Sequence, residues 1–293
     1  METLEALRRR IDNVQDLQSV VRTMKILAAV SIRQYEQAVQ ALAAYNRTIE
    51  LGARILFRNP PEELVVTRAA RDGRLGAVVL GSDQGMAGQF NEQIAAFALE
   101  RMEEMAVPPQ DRRVLVVGLR TAARLQDAGQ PVEVTGTVPG SVAGITPVVQ
   151  DILMQVDDWS TQGTIDRVFL FYNRPSGATA YRQQELALLP VDVDRMRALV
   201  SEPWPSPSLP TFSMEWSQLF SDLVHQYLFV SLYRALAESL TSENASRLAS
   251  MQAAEKNIQE HLEELTSLFH QRRQTAITEE LLDIVSGFEV LTK

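Results

Sequence analysis

The chain has 293 residues, 45% of them apolar, with three histidines, no cysteine and a net charge of −9. That apolar share excludes wholesale disorder, and the missing cysteines exclude disulfides, thiolate metal sites and a thiol nucleophile. An acidic chain without a basic stripe argues against nucleic acid as a partner. No apolar run approaches the roughly 20 residues of a membrane span. Arg8, Arg9 and Arg10 stand near the start without the apolar core of a signal peptide. The chain therefore reads as soluble and cytoplasmic, free to dock on a membrane complex.

Residues 2–58 hold no proline and one glycine, Gly52. Leu4, Leu7, Ile11 and Val14 recur three or four apart, as one stripe of a helix requires. A step of three carries the rhythm to Leu17, Val21, Met24 and Ala28, then Tyr35, Ala38 and Leu42. Such a slip overwinds a coiled coil locally. The spacing predicts a helix over 1–58 that stops at Asn59-Pro60-Pro61, because a residue before proline is steered away from helical dihedrals.

Between residues 59 and 210 the texture changes. Strands are predicted at Leu75–Gly81, Arg113–Gly118, Val132–Thr135, Ile165–Tyr172 and, more weakly, Gln184–Leu189, which an antiparallel partner could accept. Helices are predicted at Asn91–Met105, Thr121–Ala128 and Thr146–Val156. Alternation at this spacing gives an open, mostly parallel sheet covered by helices. The segment Pro203-Trp-Pro-Ser-Pro-Ser-Leu-Pro210 reads as a stiff connector.

Residues 211–286 contain neither proline nor glycine, so a second long helix is predicted in the region 211–293. Its stripe runs through Leu219, Leu223, Gln226, Val230, Tyr233, Ala237 and Leu240, then Leu248, Met251, Ile258, Leu262, Leu265 and Phe269. Asn244 and Arg247 interrupt it. They are either a solvated face or polar insertions that fix register. At 1.5 Å per residue the two helices could run roughly 80 and 110 Å. Residues 1–58 carry +3, and residues 59–212 and 213–293 carry −6 each. Opposed signs favour the two helices pairing with each other over self-association.

Catalytic groups are sparse. Gly81-Ser-Asp-Gln-Gly85-Met-Ala-Gly88 follows the first strand, where a dinucleotide fold puts its phosphate loop. Its spacing is GxxxGxxG, and no Walker lysine follows, so it reads as a structural turn and no cofactor is expected. His225, His261 and His270 match no metal motif. Ser82 and Asp83 have no histidine nearby in sequence, and Glu263-Glu264 and Glu279-Glu280 read as solvated face.

Three segments carry a resemblance. Thr23-Met24-Lys25-Ile26-Leu27-Ala28-Ala29 is one. Ser82-Asp83-Gln84-Gly85-Met86-Ala87-Gly88-Gln89-Phe90-Asn91 is the second. The third pairs Ser242-Glu243-Asn244-Ala245-Ser246-Arg247-Leu248 with Arg272-Arg273-Gln274-Thr275-Ala276-Ile277-Thr278-Glu279-Glu280-Leu281 and Ile284-Val285-Ser286-Gly287. In this order around an α/β insertion, the chain resembles the gamma subunit of the F-type ATP synthase over essentially its whole length. It departs from the family at Gln84, at Gln89-Phe90 and at Val30-Ser31. Those departures suit a divergent branch, such as an alternative synthase that translocates sodium.

The resemblance implies a long antiparallel coiled coil of the two terminal helices with an inserted Rossmann-like α/β domain. The coiled coil would penetrate a hexamer of alternating alpha and beta subunits, where catalysis resides on beta. The α/β domain would sit beside the epsilon subunit and on the membrane ring of c subunits, at the cytoplasmic face of the membrane. Residues 1–58, 59–210 and 211–293 are the expected divisions. The resemblance marks Arg273, Gln274 and Thr278 as contacts with beta-subunit loops. It marks Met24 and Lys25 as the place where the beta levers press, with Lys25 meeting acidic residues there. Leu17, Val21 and Met24 are expected to face the last helix within Met251–Phe269. A coiled-coil scaffold and an enzyme with a nucleotide-binding domain are the other readings.

Overall fold

The computed structural model describes residues 3–58, 60, 73–177, 180–192, 197, 198, 200, 204–208 and 210–291. Asn59 and Pro61 of the expected helix stop, and Pro203 and Leu209 of the expected connector, lie outside the described residues. In chain order the elements are α1 (Leu4–Leu56), β1 (Leu75–Leu80), α2 (Phe90–Glu104), β2 (Arg112–Val117), α3 (Leu119–Asp127) and β3 (Val134–Gly136). Then follow α4 (Ile145–Thr161), β4 (Arg167–Pro175), β5 (Tyr181–Leu189) and α5 (Trp216–Leu291). The chain divides into two compact units, Ala29–Arg247 and the pair Met1–Ala28 with Leu248–Lys293.

The larger unit is built on a sheet of order β3-β2-β1-β4-β5. β1 pairs in parallel with β2 and β4, and β2 with β3, while β5 runs antiparallel to β4. All six residues of β1 are buried, as expected of a central strand covered on both faces. Ala77 and Val79 point into a core with α2 and α3, which includes Ile94, Ala98 and Leu125. Val78 and Leu80 point into the opposite core, with Ile152, Val156 and Trp159 of α4, Tyr35 of α1 and Leu232, Leu236 and Leu240 of α5. The sheet is thus doubly wound, with α2 and α3 on one face and α4 on the other. The expected mixed α/β architecture is the one observed.

Several boundaries move, β4 running on to Pro175 and β5 starting at Tyr181 among them. α4 runs to Thr161, past the expected Val156, because Trp159 is buried in the second core and holds the last turn in place. The Thr164 hydroxyl then donates to the Trp159 carbonyl, and Gly163 takes φ +63°. α5 starts at Trp216, later than expected, and continues through Gly287.

Within this unit α1 and α5 pair antiparallel. The Tyr45 hydroxyl donates to Gln226 at 2.6 Å, and Trp216 Nε1 donates to the Leu56 carbonyl at 2.9 Å. That last bond satisfies one of the carbonyls a helix end leaves open. Phe57 packs edge-on against Trp216 and Phe220 beside it.

The smaller unit is also an antiparallel helix pair. Gln18 bonds Gln259, and Arg22 and Lys25 bond Glu255, so rising numbers on α1 meet falling numbers on α5. Val21 is buried and Met24 half-buried, whereas Leu17 is 51% exposed. The expected three-residue slip is not there. The covered positions are Leu4, Leu7, Ile11, Val14, Gln18, Val21, Met24, Lys25 and Ala28, alternating steps of three and four as far as Val21, with both Met24 and Lys25 covered in the next turn. Gln18 and Lys25 stand where apolar residues were sought, because each has a polar partner across the interface.

Candidate functional site

In an open doubly wound sheet a ligand binds at the carboxyl ends of the strands, where the winding reverses. Here that place lies between β1 and β4. The glycine turn occupies one side of it, and its polar atoms are engaged internally. Asn91 Oδ1 accepts from the Ser82 amide at 3.0 Å and from the Thr121 hydroxyl at 2.7 Å. Asn91 Nδ2 donates to Ser82 Oγ at 2.9 Å. Asp83 accepts from the amides of Leu119 and Val138, both at 2.8 Å, which ties together the loops after β1, β2 and β3. Gly81 is required, since a Cβ there would lie 1.9 Å from Thr121 Oγ1. Gly118 takes φ +121° with the Ser82 backbone against it.

The crevice itself is filled by α5. The Ser246 hydroxyl donates to the Ala87 carbonyl of the glycine turn at 2.6 Å, and the Ser242 hydroxyl is shared between the Asn173 carbonyl of β4 at 3.1 Å and the Glu238 carbonyl of its own helix at 2.9 Å. Every residue from Ala235 to Arg247 is buried, although eight of these thirteen are polar or charged. Asn244 and Arg247, each 8% exposed, are therefore not a solvated face. Arg247 bonds Glu243 at 2.5 Å and Asn244 at 3.4 Å. Burial pushes the Glu243 carboxyl above its usual range and the arginine pulls it back. Tyr35 of α1 lies beside this pair, and burial together with the Glu243 charge raises its phenol. Glu238 lies between Arg234 at 2.9 Å and Arg174 at 3.5 Å. Burial, with that carboxylate, pushes the neighbouring Tyr172 up to about 12.

The residues marked for partner contact fall in two places. On α1, Met24 and Lys25 are half-buried. Lys25 meets Glu255 of its own chain at 2.5 Å, and Arg22 meets the other oxygen of the same carboxylate at 3.1 Å. These bonds hold Glu255 below the usual carboxylate range, Lys25 contributing most. On α5, Arg273, Gln274 and Thr278 are all exposed, and the Thr278 hydroxyl donates to the Gln274 carbonyl. The two groups belong to one helix each, and among the described residues nothing covers the second.

Sequence reasoning missed the apolar residues that surround both groups. Leu17, Val20, Ile26, Leu27 and Val30 are all half-exposed or more, Ile26 and Leu27 reaching 62% and 61%. Ile277, Leu281, Leu282 and Ile284 are likewise exposed on α5. The signal was present in Ile26-Leu27, which add apolar positions beyond the single stripe a helix pair needs. The histidines are scattered: His225 and His270 are exposed, and His261 lies 3.6 Å from Glu264. Among the described residues no group of three or more His, Cys, Asp or Glu could hold a metal ion. Phe90, a departure from the resembled pattern, is fully buried and packs edge-on to Tyr181.

An α/β domain whose ligand crevice holds the chain's own helix, with exposed apolar and polar residues on the terminal helices, defines a subunit built for contact with partners. The sequence profile of the ATP synthase family matches residues 3–291, and the chain belongs to that family, in the line of its gamma chains. It is 28% identical over 321 residues to the ATP synthase gamma chain of Synechococcus sp., covering 99% of each. It is 29% identical over 300 residues to the gamma chain of Anaeromyxobacter dehalogenans, covering 99% of this chain and 100% of the relative. The fold matches a chain in the cryo-EM structure of the Euglena gracilis mitochondrial ATP synthase rotor, with TM-score 0.62 and 16% identity over 94% of this chain and 98% of that one. The recognition as a gamma chain holds over the full length.

Proposed function

We propose that the chain is the non-catalytic rotor of its synthase, coupling ion flow through a membrane ring of c subunits to chemistry on the beta subunits of an alpha–beta hexamer. One observation carries this reading. Five large apolar side chains between Leu17 and Val30 are exposed on a helix whose buried stripe is already complete. Such a surface calls for an apolar sleeve around the helix. A rotor turning within a sleeve needs contacts that differ slightly among angles, so that each nucleotide state favours one of them.

On this reading Met24 and Lys25 face the beta levers, and Arg273, Gln274 and Thr278 meet the beta loops. Met24 offers a flexible apolar surface that tolerates sliding. Lys25 has three donors, so its bond to Glu255 leaves others for an acidic lever. Residues 1–58 and 211–293 supply the helices, and 59–210 the domain that meets epsilon and the c ring. The complex would sit on the cytoplasmic face of the membrane. Among the described residues no helix is long and apolar enough to cross it.

The test is reconstitution. Alpha, beta and this chain should co-purify, and vesicles holding the full synthase should pump ions on ATP only when this chain is present. If the chain fails to join the hexamer and purifies as a stable homodimer, the scaffold reading takes its place.

A further inference from the structure

We infer that the crevice between β1 and β4 is a socket for α5, and that Ser242 and Ser246 carry torque between the helix and the α/β domain. This rests on the rotor reading and assigns the load to particular groups. Apolar burial is non-directional and lets a helix slide on a sheet. The face of α5 that offers Leu232, Leu236 and Leu240 to the core would by itself allow such slippage. Hydrogen bonds have a required geometry, so they fix both the rotation and the axial position of the helix.

The bonds at the crevice reach both of its walls. Ser246 holds the glycine turn after β1, and Ser242 holds the carboxyl end of β4. The turn is not free to follow the helix, because Asp83 fastens it to the amides of Leu119 and Val138. Behind the serines lies the buried Glu243–Arg247 pair, faced by Asp83 and by Tyr35 of α1. Both partners stand on α5, one turn apart, so the pair moves with the helix; it neutralises the buried charges of the inserted stretch, and the bonds that cross to the domain are those of the serines. Small hydroxyl side chains at 242 and 246 let the helix approach the loops closely. The site that would take a ligand in a dinucleotide-binding relative of this topology here takes a helix.

The test uses the assembled synthase in vesicles, with ATP hydrolysis and ATP-driven ion pumping measured on one preparation. Ser246→Leu places a branched side chain where a hydroxyl now meets a carbonyl. Overpacking there should leave hydrolysis running while ions pumped per ATP fall about twofold or more. An unchanged ratio in an assembled complex would overturn the inference. The second variant carries Ala87→Cys with Ser246→Cys in this cysteine-free chain. A disulfide should form on oxidation, and the oxidised complex should pump as many ions per ATP as the same variant reduced. Less pumping when oxidised would mean that the helix must leave the crevice during turnover, and failure to form the disulfide would mean that it does not fill it. A wild-type chain that does not join alpha and beta at all would instead remove the rotor reading.

Discussion

Two stretches of helix run against the usual relation between polarity and burial. Along α5 from Ala235 to Arg247 every residue is buried, with Glu238, Glu243, Asn244 and Arg247 among them. Along α1 from Leu17 to Val30 the large apolar residues outside the stripe are exposed. The difference lies in what surrounds each helix. The polar stretch is enclosed by its own chain, the sheet and glycine turn on one side and α1 on the other, so most of its polar side chains find internal partners, Ser239 being an exception. The apolar stretch meets its own chain along one stripe only, and the rest of its surface suits a second chain. A helix that is apolar nearly all round is normally buried all round. Here the other subunits would supply that burial.

The sharpest break of this comparison comes from the enclosed stretch. Arg247→Ala leaves Glu243 buried without its cation, which should cost about 3–5 kcal/mol of stability in denaturant unfolding. Adding Glu243→Gln removes the orphan charge and should recover a good part of that loss. A loss under about 1 kcal/mol for the single change would show that water reaches the pair, placing it in the range of exposed ion pairs.

The exposed stretch should respond in the opposite sense. Ile26→Ser with Leu27→Ser should leave the free chain within about 0.5 kcal/mol per change, as surface substitutions do. Binding to the alpha–beta hexamer should weaken roughly tenfold or more per residue, since burying such a side chain contributes about 1.5–3 kcal/mol. Titration of the hexamer with wild-type and variant chains measures this directly. Equal affinities would mean that the sleeve does not touch this face.

How much of this was legible in the sequence depends on which force sets each feature. The sheet strands were readable because short apolar runs rich in β-branched residues, such as Ala77-Val78-Val79-Leu80, favour a buried strand. Stripe and charge favoured pairing of the two helices, and the resemblance supplied its antiparallel sense. The stripe itself was misplaced by one residue at Leu17, because apolar spacing cannot register that Gln18 and Gln259 satisfy each other across 241 positions. The same blindness left Asn244 and Arg247 undecided. Their burial is decided by β1, β4 and α1, which are remote in sequence. Glu255, the partner of Lys25 within the chain, belongs to no motif, and no sign of it stood in the sequence. Long-range polar pairs carry no periodic signal, so these contacts were beyond the reach of spacing.

A smaller effect is expected at the second contact cluster. Arg273, Gln274 and Thr278 are exposed, so Arg273→Ala with Gln274→Ala should not move the unfolding midpoint of the free chain. In the complex each lost contact should cost about 1–3 kcal/mol where a partner is left buried and unpaired. Coupled turnover should fall accordingly, and the control Arg58→Ala, at an exposed residue beyond the end of α1, should not reproduce it. Wild-type assembly and turnover in the double variant would remove these residues from the interface.

The smallest effect separates the exposed stretch from the enclosed one by pH. Glu255 is held below the usual carboxylate range by its bonds to Lys25 and Arg22. A carboxyl whose folded value is depressed binds fewer protons folded than unfolded, so its stabilisation is complete above its ordinary value, near pH 4.3, and drains as pH falls through the depressed one. The pair is solvated, so the contribution is small and shrinks with salt. Glu255→Gln should therefore be slightly less stable than wild type at pH 7 and low salt. The gap should narrow below about pH 4 and close under acid, since a protonated Glu255 and a glutamine are then equivalent neutral partners for Lys25 and Arg22. Glu243 should behave in the contrary direction, because burial raises its carboxyl and wild type then gains, relative to Glu243→Gln, as pH falls. Thermal unfolding of the two variants across that range would read both signs at once. A gap for Glu255→Gln that persisted unchanged into acid would mean that the carboxylate is not what Lys25 and Arg22 hold.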